Sequence, residues 1–310
     1  MNHSMRKPIV ISIFIFYVLG FLFPVNLQAQ ILESDSIFHK KRFYTVVAVE
    51  ASLWSASLIG LNYAWYKDYQ GDGFHLFDDS KEWLQVDKFG HATTTYYIGK
   101  VGYDMLRWSG VSEKKSILYG GSLGFFYMSA IEIFDGYSSG WGFSWSDMAA
   151  NVLGSGLFMG QQALWGEQRM SMKYSFHTTQ YAQYRPNILG RTISEQMVKD
   201  YNGHTYWLSV NVNSFLKSSS RFPKWINLAL GYGAEGMLGG FENPSEIDGV
   251  PLPYFDRYRQ YYFSLDVDLS RIPTHSKFLR SVLNVLSFIK IPMPTVEFSK
   301  KGIEFYPLYF

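Results

Sequence analysis

Gln260-Tyr261-Tyr262-Phe263-Ser264-Leu265-Asp266-Val267-Asp268-Leu269 puts Tyr261, Phe263, Leu265, Val267 and Leu269 on one side and Tyr262, Ser264, Asp266 and Asp268 on the other. A period of two marks an extended strand, because successive side chains point to opposite faces. Residues 205–213 repeat the pattern, with Tyr206, Leu208, Val210 and Val212 against Trp207, Ser209, Asn211 and Asn213. Residues 225–233 do so again, with Ile226, Leu228, Leu230 and Tyr232 against Asn227, Ala229, Gly231 and Gly233. One face is apolar and aromatic; the other is small or polar. Such strands fit a transmembrane barrel, apolar outward and polar inward. They also fit a water-soluble antiparallel sheet with one buried face.

Shorter strand candidates are 172–185, 295–299 and 302–310. The total of about six strands falls short of the eight of the smallest common barrel. The sheet is therefore expected to be partial, to close through helices, or to oligomerise. The sequence ends with Tyr306, Leu308 and Phe310 at alternating positions. This tail resembles the C-terminal aromatic signal of outer-membrane barrel proteins, although Pro307 is awkward inside a strand. Within 276–290, Phe278, Leu279, Val282, Leu283, Leu286 and Ile289 fall near one helical face, flanked by Lys277, Arg280 and Lys290. That pattern suits an interfacial amphipathic helix or a core-packing one.

Upstream of about residue 170 the period becomes helical. Four long segments are expected at 43–66, 87–108, 113–135 and 144–165. Each carries polar groups (Glu50 in the first, Glu132 in the third), and none has 18 uninterrupted apolar residues. None is therefore expected to be a strong spanning helix, and a compact bundle is the simplest arrangement. Gly120, Gly121 and Gly124, then Gly154, Gly156 and Gly160, suggest close helix packing, with Gly156-x-x-x-Gly160 as the small-xxx-small spacing. The expected class is α+β: a helical bundle at 43–168 and an antiparallel strand domain at 169–310, the latter a small or partial outer-membrane β-barrel in one of its two forms.

The first 29 residues carry Arg6 and Lys7, an apolar run at 9–23, Pro24 and a small-residue cleavage site at Ala29. That is the anatomy of a secretory signal peptide. The run is short for an anchor, which needs about 20 residues. A polar lead-in is expected at 30–42. With residues 1–29 gone the net charge drops from +2 to 0, which disfavours nucleic acid as the main partner. The sequence has no cysteine, so disulfides, thiolate metal sites and cysteine lipidation are excluded. Aromatic residues make up 18%, a composition suited to membrane–water boundaries.

The chemistry-bearing residues lie in the helical half. Asp87-Lys88-Phe89-Gly90-His91 puts Asp87 and His91 four apart, on one helix face. Glu132 and Asp135 are three apart. Ser144-Trp145-Ser146-Asp147 reads as a capping box, with Asn151 one turn on. Acids in apolar surroundings need a partner, a proton or a metal. Lys88 and His91 could neutralise Asp87, Glu132 and Asp135 as a structural knot. Alternatively Asp87, His91, Glu132 and Asp135 could hold a divalent metal. With Asp147 they could instead form a catalytic cluster, His91 acting as base or nucleophile. Lys88, Ser144, Asn151 and Gly154 are supporting positions. The loop 65–83, with Asp68, Asp72, Asp78 and Asp79, reads as a solvated turn.

The ordered set Asp87-Lys-x-x-His91, Glu132-x-x-Asp135 and Ser144-Trp-Ser-Asp147-x-x-x-Asn151-x-x-Gly154 resembles the YfiM-type family of predicted periplasmic lipoproteins over about residues 43–166. It is more loosely similar to VanZ-like membrane proteins. The family is of unknown function, so the resemblance implies an envelope location and no reaction. The missing cysteine and the strand-rich second half depart from the family pattern. Three functions stay open: an outer-membrane-associated structural or binding component, with the bundle on the periplasmic side; a membrane-associated, metal-dependent hydrolase or transferase acting on lipid or phosphorylated envelope substrates; and a small pore or lipid-binding barrel, if Asp266 and Asp268 line a lumen. The expected partners are the bilayer or envelope lipids, with a second copy or another envelope protein as further partners.

Overall fold

A computed structural model describes residues 34–66, 69, 71, 73–217 and 219–309. The leader read at 1–29, the start of the lead-in, Asp68, Asp72 and Phe310 lie outside the described residues. Helix α1 (Lys40–Leu61) runs into a π turn at Asn62–Tyr66, and α2 spans Val86–Trp108. Helical turns at Glu113–Lys115 and Ser116–Gly120 lead into α3 (Leu123–Gly136), and α4 is Trp145–Trp165. The four helical segments thus stand where periodicity put them. The described part of the lead-in is tied down: the Asp35 N–H donates to Arg107 O at 3.1 Å and the His39 N–H to Ser109 O at 2.9 Å.

Helix α2 is the hub of the bundle. Gly154 of α4 rests against the Ala92 carbonyl and the Thr95 hydroxyl, and Gly124 of α3 against the Thr95 backbone. Gly156 and Gly160 face open space. The expected Gly-xxx-Gly contact is therefore not made, because 3.6 residues per turn carry both positions round to the side of α4 away from Gly154 and Phe158. By length and composition alone, Lys40–Leu61 and Glu113–Gly136 are both long and apolar enough to cross a membrane. A lone acid such as Glu50 does not offset an otherwise apolar window, so a test for uninterrupted runs passes over them.

The strand half is built on one six-stranded antiparallel sheet. Its strands are β1 (Met170–Phe176), β2 (His204–Asn211), β3 (Ile226–Glu235), β6 (Tyr258–Val267), β7 (Met293–Ser299) and β8 (Gly302–Tyr309), and they lie side by side in that order. A small hairpin of β4 (Glu246–Ile247) and β5 (Val250–Pro251) turns on Asp248 and Gly249, both at positive φ (50° and 77°). Asp-Gly is the strongest short hairpin signal, and it was readable in the sequence. Strand β1 stops at Phe176, short of the expected 185. Pro186 then opens α5 (Pro186–Leu189), where its fixed φ suits a first helical position, and α6 (Ile193–Lys199) follows. Pro307 is accommodated because β8 is an edge strand with a register irregularity opposite 293–295.

The two faces of the sheet have inverted polarity. Facing inward, Asn227, Ala229, Tyr262, Ser264, Asp266, Thr295 and Glu297 are all at most 2% exposed. Facing outward, Leu230 is 57% exposed, Phe263 45% and Phe305 64%. Register lines these up across neighbouring strands, Leu230 opposite Phe263, Phe263 opposite Val296, and Val296 opposite Phe305. The helices cover the β1–β2 end of this outer face, where Tyr96 and Phe158 pack on Met172 and Leu208, and reach one end of β3. Phe89 of α2 stacks on Tyr232 at 4.6 Å. Helix α7 (Lys277–Val285) follows the same rule: Ser281 is buried while Phe278 and Leu279 are exposed.

The interior is filled. Trp207, Ala229, Tyr262 and Tyr309 form an aromatic core, and the sheet curls until the Tyr309 hydroxyl of β8 lies 3.1 Å from Thr205 Oγ1 of β2. Among the described residues the barrel does not close: β1 and β8 are the two ends of the sheet, and on its free side β1 makes a single bridge, Tyr174 to Ile289. Nor do Asp266 and Asp268 line a lumen. Asp266 is fully buried, accepting from Lys173 Nζ at 2.7 Å and Ser209 Oγ at 2.6 Å. Asp268 caps the turn Leu269–Arg271 and pairs with Arg271 at 3.2 Å.

Candidate functional site

Four segments bring the acids together. Lys88, in the first turn of α2, reaches Asp79 Oδ2 at 2.7 Å, Asp87 Oδ2 at 3.0 Å and Asp147 Oδ1 at 2.7 Å. His91 lies one turn further along α2. Its Nδ1 is 3.1 Å from Asn151 Oδ1 and 3.8 Å from Glu132 Oε1, and its Nε2 is 3.7 Å from Asp147 Oδ1. Asp135 accepts from the Tyr66 hydroxyl at 2.8 Å. All five candidate residues, Asp87, His91, Glu132, Asp135 and Asp147, line one cavity of about 360 Å³. Its other walls include Tyr66, Trp83, Trp141, Tyr201 and Tyr206.

The capping box is half as expected. Ser144 Oγ accepts from the Asp147 N–H at 3.0 Å, but the Ser144 N–H donates to Glu132 Oε2 at 3.2 Å, not to Asp147. The Asp147 carboxylate is drawn off by Lys88. Lys88 in turn pairs with Asp79, Asp87 and Asp147, not with Glu132 or Asp135. Asp79 is no solvated turn residue: it is 7% exposed and accepts from Ser144 Oγ and Ser146 Oγ at 2.5 and 2.6 Å. Glu82 also lines the cavity. Sequence reading missed both because each sits in an irregular connection, where spacing carries no facial information. The one available signal was the acid-rich run before the Asp-Lys-x-x-His helix.

The electrostatics follow from burial and crowding. Six carboxylates line the cavity, against Lys88 and His91 as the cations beside them. Burial pushes Asp87 up to about 6, with Lys88 working against it. Burial pushes Glu82 up to about 7, and the charges of Asp87 and Asp79 add to the rise. Burial also raises Asp79, but hydrogen bonds with Asp147, Lys88, Ser144 and Ser146 outweigh it and hold Asp79 well below the ordinary carboxylate range. Asp147 is raised by burial and by its hydrogen bond with Asp79, against His91 and Lys88. Burial alone would lower His91; Asp147, Glu132 and Asp87 outweigh it and hold the imidazole above its usual value. Carboxyls raised by burial beside an imidazole whose protonated form they favour are the ordinary equipment of acid–base chemistry.

Residues 72–160 match the family model described as Predicted periplasmic lipoprotein (DUF2279). Over this segment, under a third of its length, the chain is similar to that family. The resemblance read from the motifs therefore holds over the stretch that carries every candidate residue, and it is consistent with an envelope protein of unknown activity. No curated protein matches the chain, and no solved structure does. The DUF2279 segment ends inside α4, ahead of the whole six-stranded sheet. The sequence also lacks the cysteine on which a lipoprotein carries its lipid.

Proposed function

We propose that this is a membrane-seated envelope protein whose cavity performs acid–base hydrolysis or group transfer on an envelope lipid or a phosphorylated relative of one. The observation that carries the reading is that the polar cluster lines an open cavity instead of closing on itself. A structural knot gains nothing from leaving a void of about 360 Å³ among its acids. His91 supplies the proton-transfer group, turned by Asn151 and flanked by Asp147 and Glu132. The aromatic walls suit an amphipathic substrate.

The inverted sheet supports a seat in a bilayer, and in an exported protein that bilayer is the outer membrane. Polar groups inside and Leu230, Phe263 and Phe305 outside is the arrangement of lipid-facing strands. The absence of native cysteine makes a direct test clean. In vesicles, a nitroxide on Phe263→Cys is expected to collide more often with oxygen than with a water-soluble nickel chelate. On Tyr254→Cys, in a loop where Tyr254 is 89% exposed, the preference should reverse. Water-like behaviour at both positions would remove the bilayer seat.

The activity is tested by mass spectrometry of envelope lipids from cells expressing the parent chain, His91→Gln or Asp147→Asn. Species present with the parent and absent with either folded variant are expected, by analogy with the roughly 100- to 10,000-fold losses typical of general acid–base groups. Identical lipid profiles in all three, with lower melting temperatures for the variants, would favour a structural role. The three-way pairing of Lys88 is the observation that gives that second reading its weight.

A further inference from the structure

We infer that His91, Glu132 and Asp147 form a binding site for one divalent cation of borderline type, such as zinc or manganese, on the wall of the cavity. One donor atom from each residue lies within 4.8 Å of the other two. Two donors sharing an ion at about 2.1 Å sit at most about 4.2 Å apart. A side-chain movement of well under 1 Å, roughly the difference between those figures, would bring all three onto one ion. One imidazole with carboxylate oxygens is a donor set for zinc or manganese, not for a soft metal.

Three further observations concern the cavity wall around these donors. A second acidic trio, Asp79, Asp87 and Asp147, is equally compact, but the Lys88 ammonium already stands among its carboxylates. Lys88 also meets Asp147, which the two trios share, so the His91 trio is set apart by its imidazole and by Glu132, which Lys88 does not pair with. Asp87 is 92% buried, since its relative exposure is 8%; it lines the cavity, and its Oδ1 has no hydrogen-bond partner. An uncompensated carboxylate oxygen at that depth is costly unless a cation or proton meets it. Finally, Asn151 is fully buried and sets the ring of His91 through Nδ1. With Oδ1 accepting, Nδ1 would carry the hydrogen and leave Nε2, on the Asp147 side, as the donor, and Glu132, 3.8 Å from Nδ1, would have to turn toward it. Ligating histidines are usually held this way by their other nitrogen.

The test is equilibrium dialysis of the detergent-purified full chain, stripped with chelator, against Mn²⁺ or Zn²⁺ alone. One equivalent is expected to bind, and the equivalent should be lost in His91→Gln and in Asp147→Asn. Asn151→Ala should weaken binding about 10- to 100-fold through loss of ring orientation. Should a variant fail to fold, pulsed electron resonance on Mn²⁺ bound to the parent chain decides: coupling to a single imidazole nitrogen is expected. No saturable binding, unchanged affinity in the folded variants, or no nitrogen coupling would each overturn the site. A cation on His91 Nε2 and proton transfer by that nitrogen exclude each other, so in the cation-bound state the proton-transfer role passes to a neighbouring carboxyl; binding is read without any substrate, so a failure here leaves the acid–base reading with His91 standing, and failure of the lipid assay leaves the cation site standing.

Discussion

Asp266→Asn is expected to be the most destabilising isosteric change in the strand half. Asp266 is fully buried, with Lys173 Nζ at 2.7 Å and Lys290 Nζ at 3.9 Å, and both lysines are at most 2% exposed. Lys173 also donates to Val267 O at 2.7 Å, and Lys290 lies 4.9 Å from the Trp207 ring. Two buried ammonium groups thus share one carboxylate. Removing one partner of a buried pair costs about 3–5 kcal/mol, because the remaining charge is left uncompensated. Here two charges would be left. Chemical denaturation in detergent should show the loss, and Lys290→Met should be far milder, since it removes the surplus cation. Lys290 also fixes the sign of a pH effect. Burial pushes its ammonium down to about 8 from 10.5. Between those values the unfolded chain holds a proton that the folded chain has released, so this group makes stability rise with pH across that window. A parent whose stability shows no upward contribution there relative to Lys290→Met would contradict the burial argument.

Gly154→Ala should be nearly as severe, although it adds one methyl group. The new Cβ would overlap the Ala92 carbonyl oxygen and Thr95 Oγ1, and the former is backbone that cannot rotate away. Overpacking typically costs about 1–3 kcal/mol and occasionally more. A backbone clash at the hub of the bundle belongs at or above the upper end of that range. Because α2 carries Lys88 and His91 while α4 carries Asp147 and Asn151, forcing these helices apart should also weaken cation binding. Gly156→Ala is the control: it meets nothing within 4 Å and should leave both properties unchanged. Equal unfolding midpoints for the two variants would refute the assigned contact.

The contrast between Gly154 and Gly156 shows where sequence reading stops. Spacing reveals that glycines share a helix, but which of them touches a neighbour depends on the rotation of α4 against α2. The alternation in 260–269 was decisive for the sheet, because a strand has only two faces and the polar set of β6 had to share one. Which face would be the inner one was not settled by alternation: the aromatic richness of the apolar face favoured turning it outward, but a soluble sheet with that face buried fitted the same pattern. The six strand positions were readable. What was not readable is that curling brings Tyr309 onto Thr205 without joining β1 to β8, since closure depends on shear and not on local pattern. In the site, Asp87, His91, Glu132, Asp135 and Asp147 were legible because each sits at helical spacing from another member. Asp79 was not, because its place beside Lys88 is set by the path of an irregular loop.

The central claim is that the acidic cluster is a working site and not a support for the bundle. The most direct measurement is the melting temperature of the chelator-treated parent beside Glu132→Gln and Asp87→Asn. Both substitutions keep shape and remove one charge from an over-acidic cavity. The amide oxygen introduced by Glu132→Gln would still accept from the Ser144 N–H, and in Asp87→Asn Lys88 keeps Asp79 and Asp147. Functional sites are held at a cost to stability, so both variants are expected to melt at the same temperature as the parent or a few degrees above it. A drop of several degrees in both would mean that the carboxylates hold the helices together, and would contradict the account.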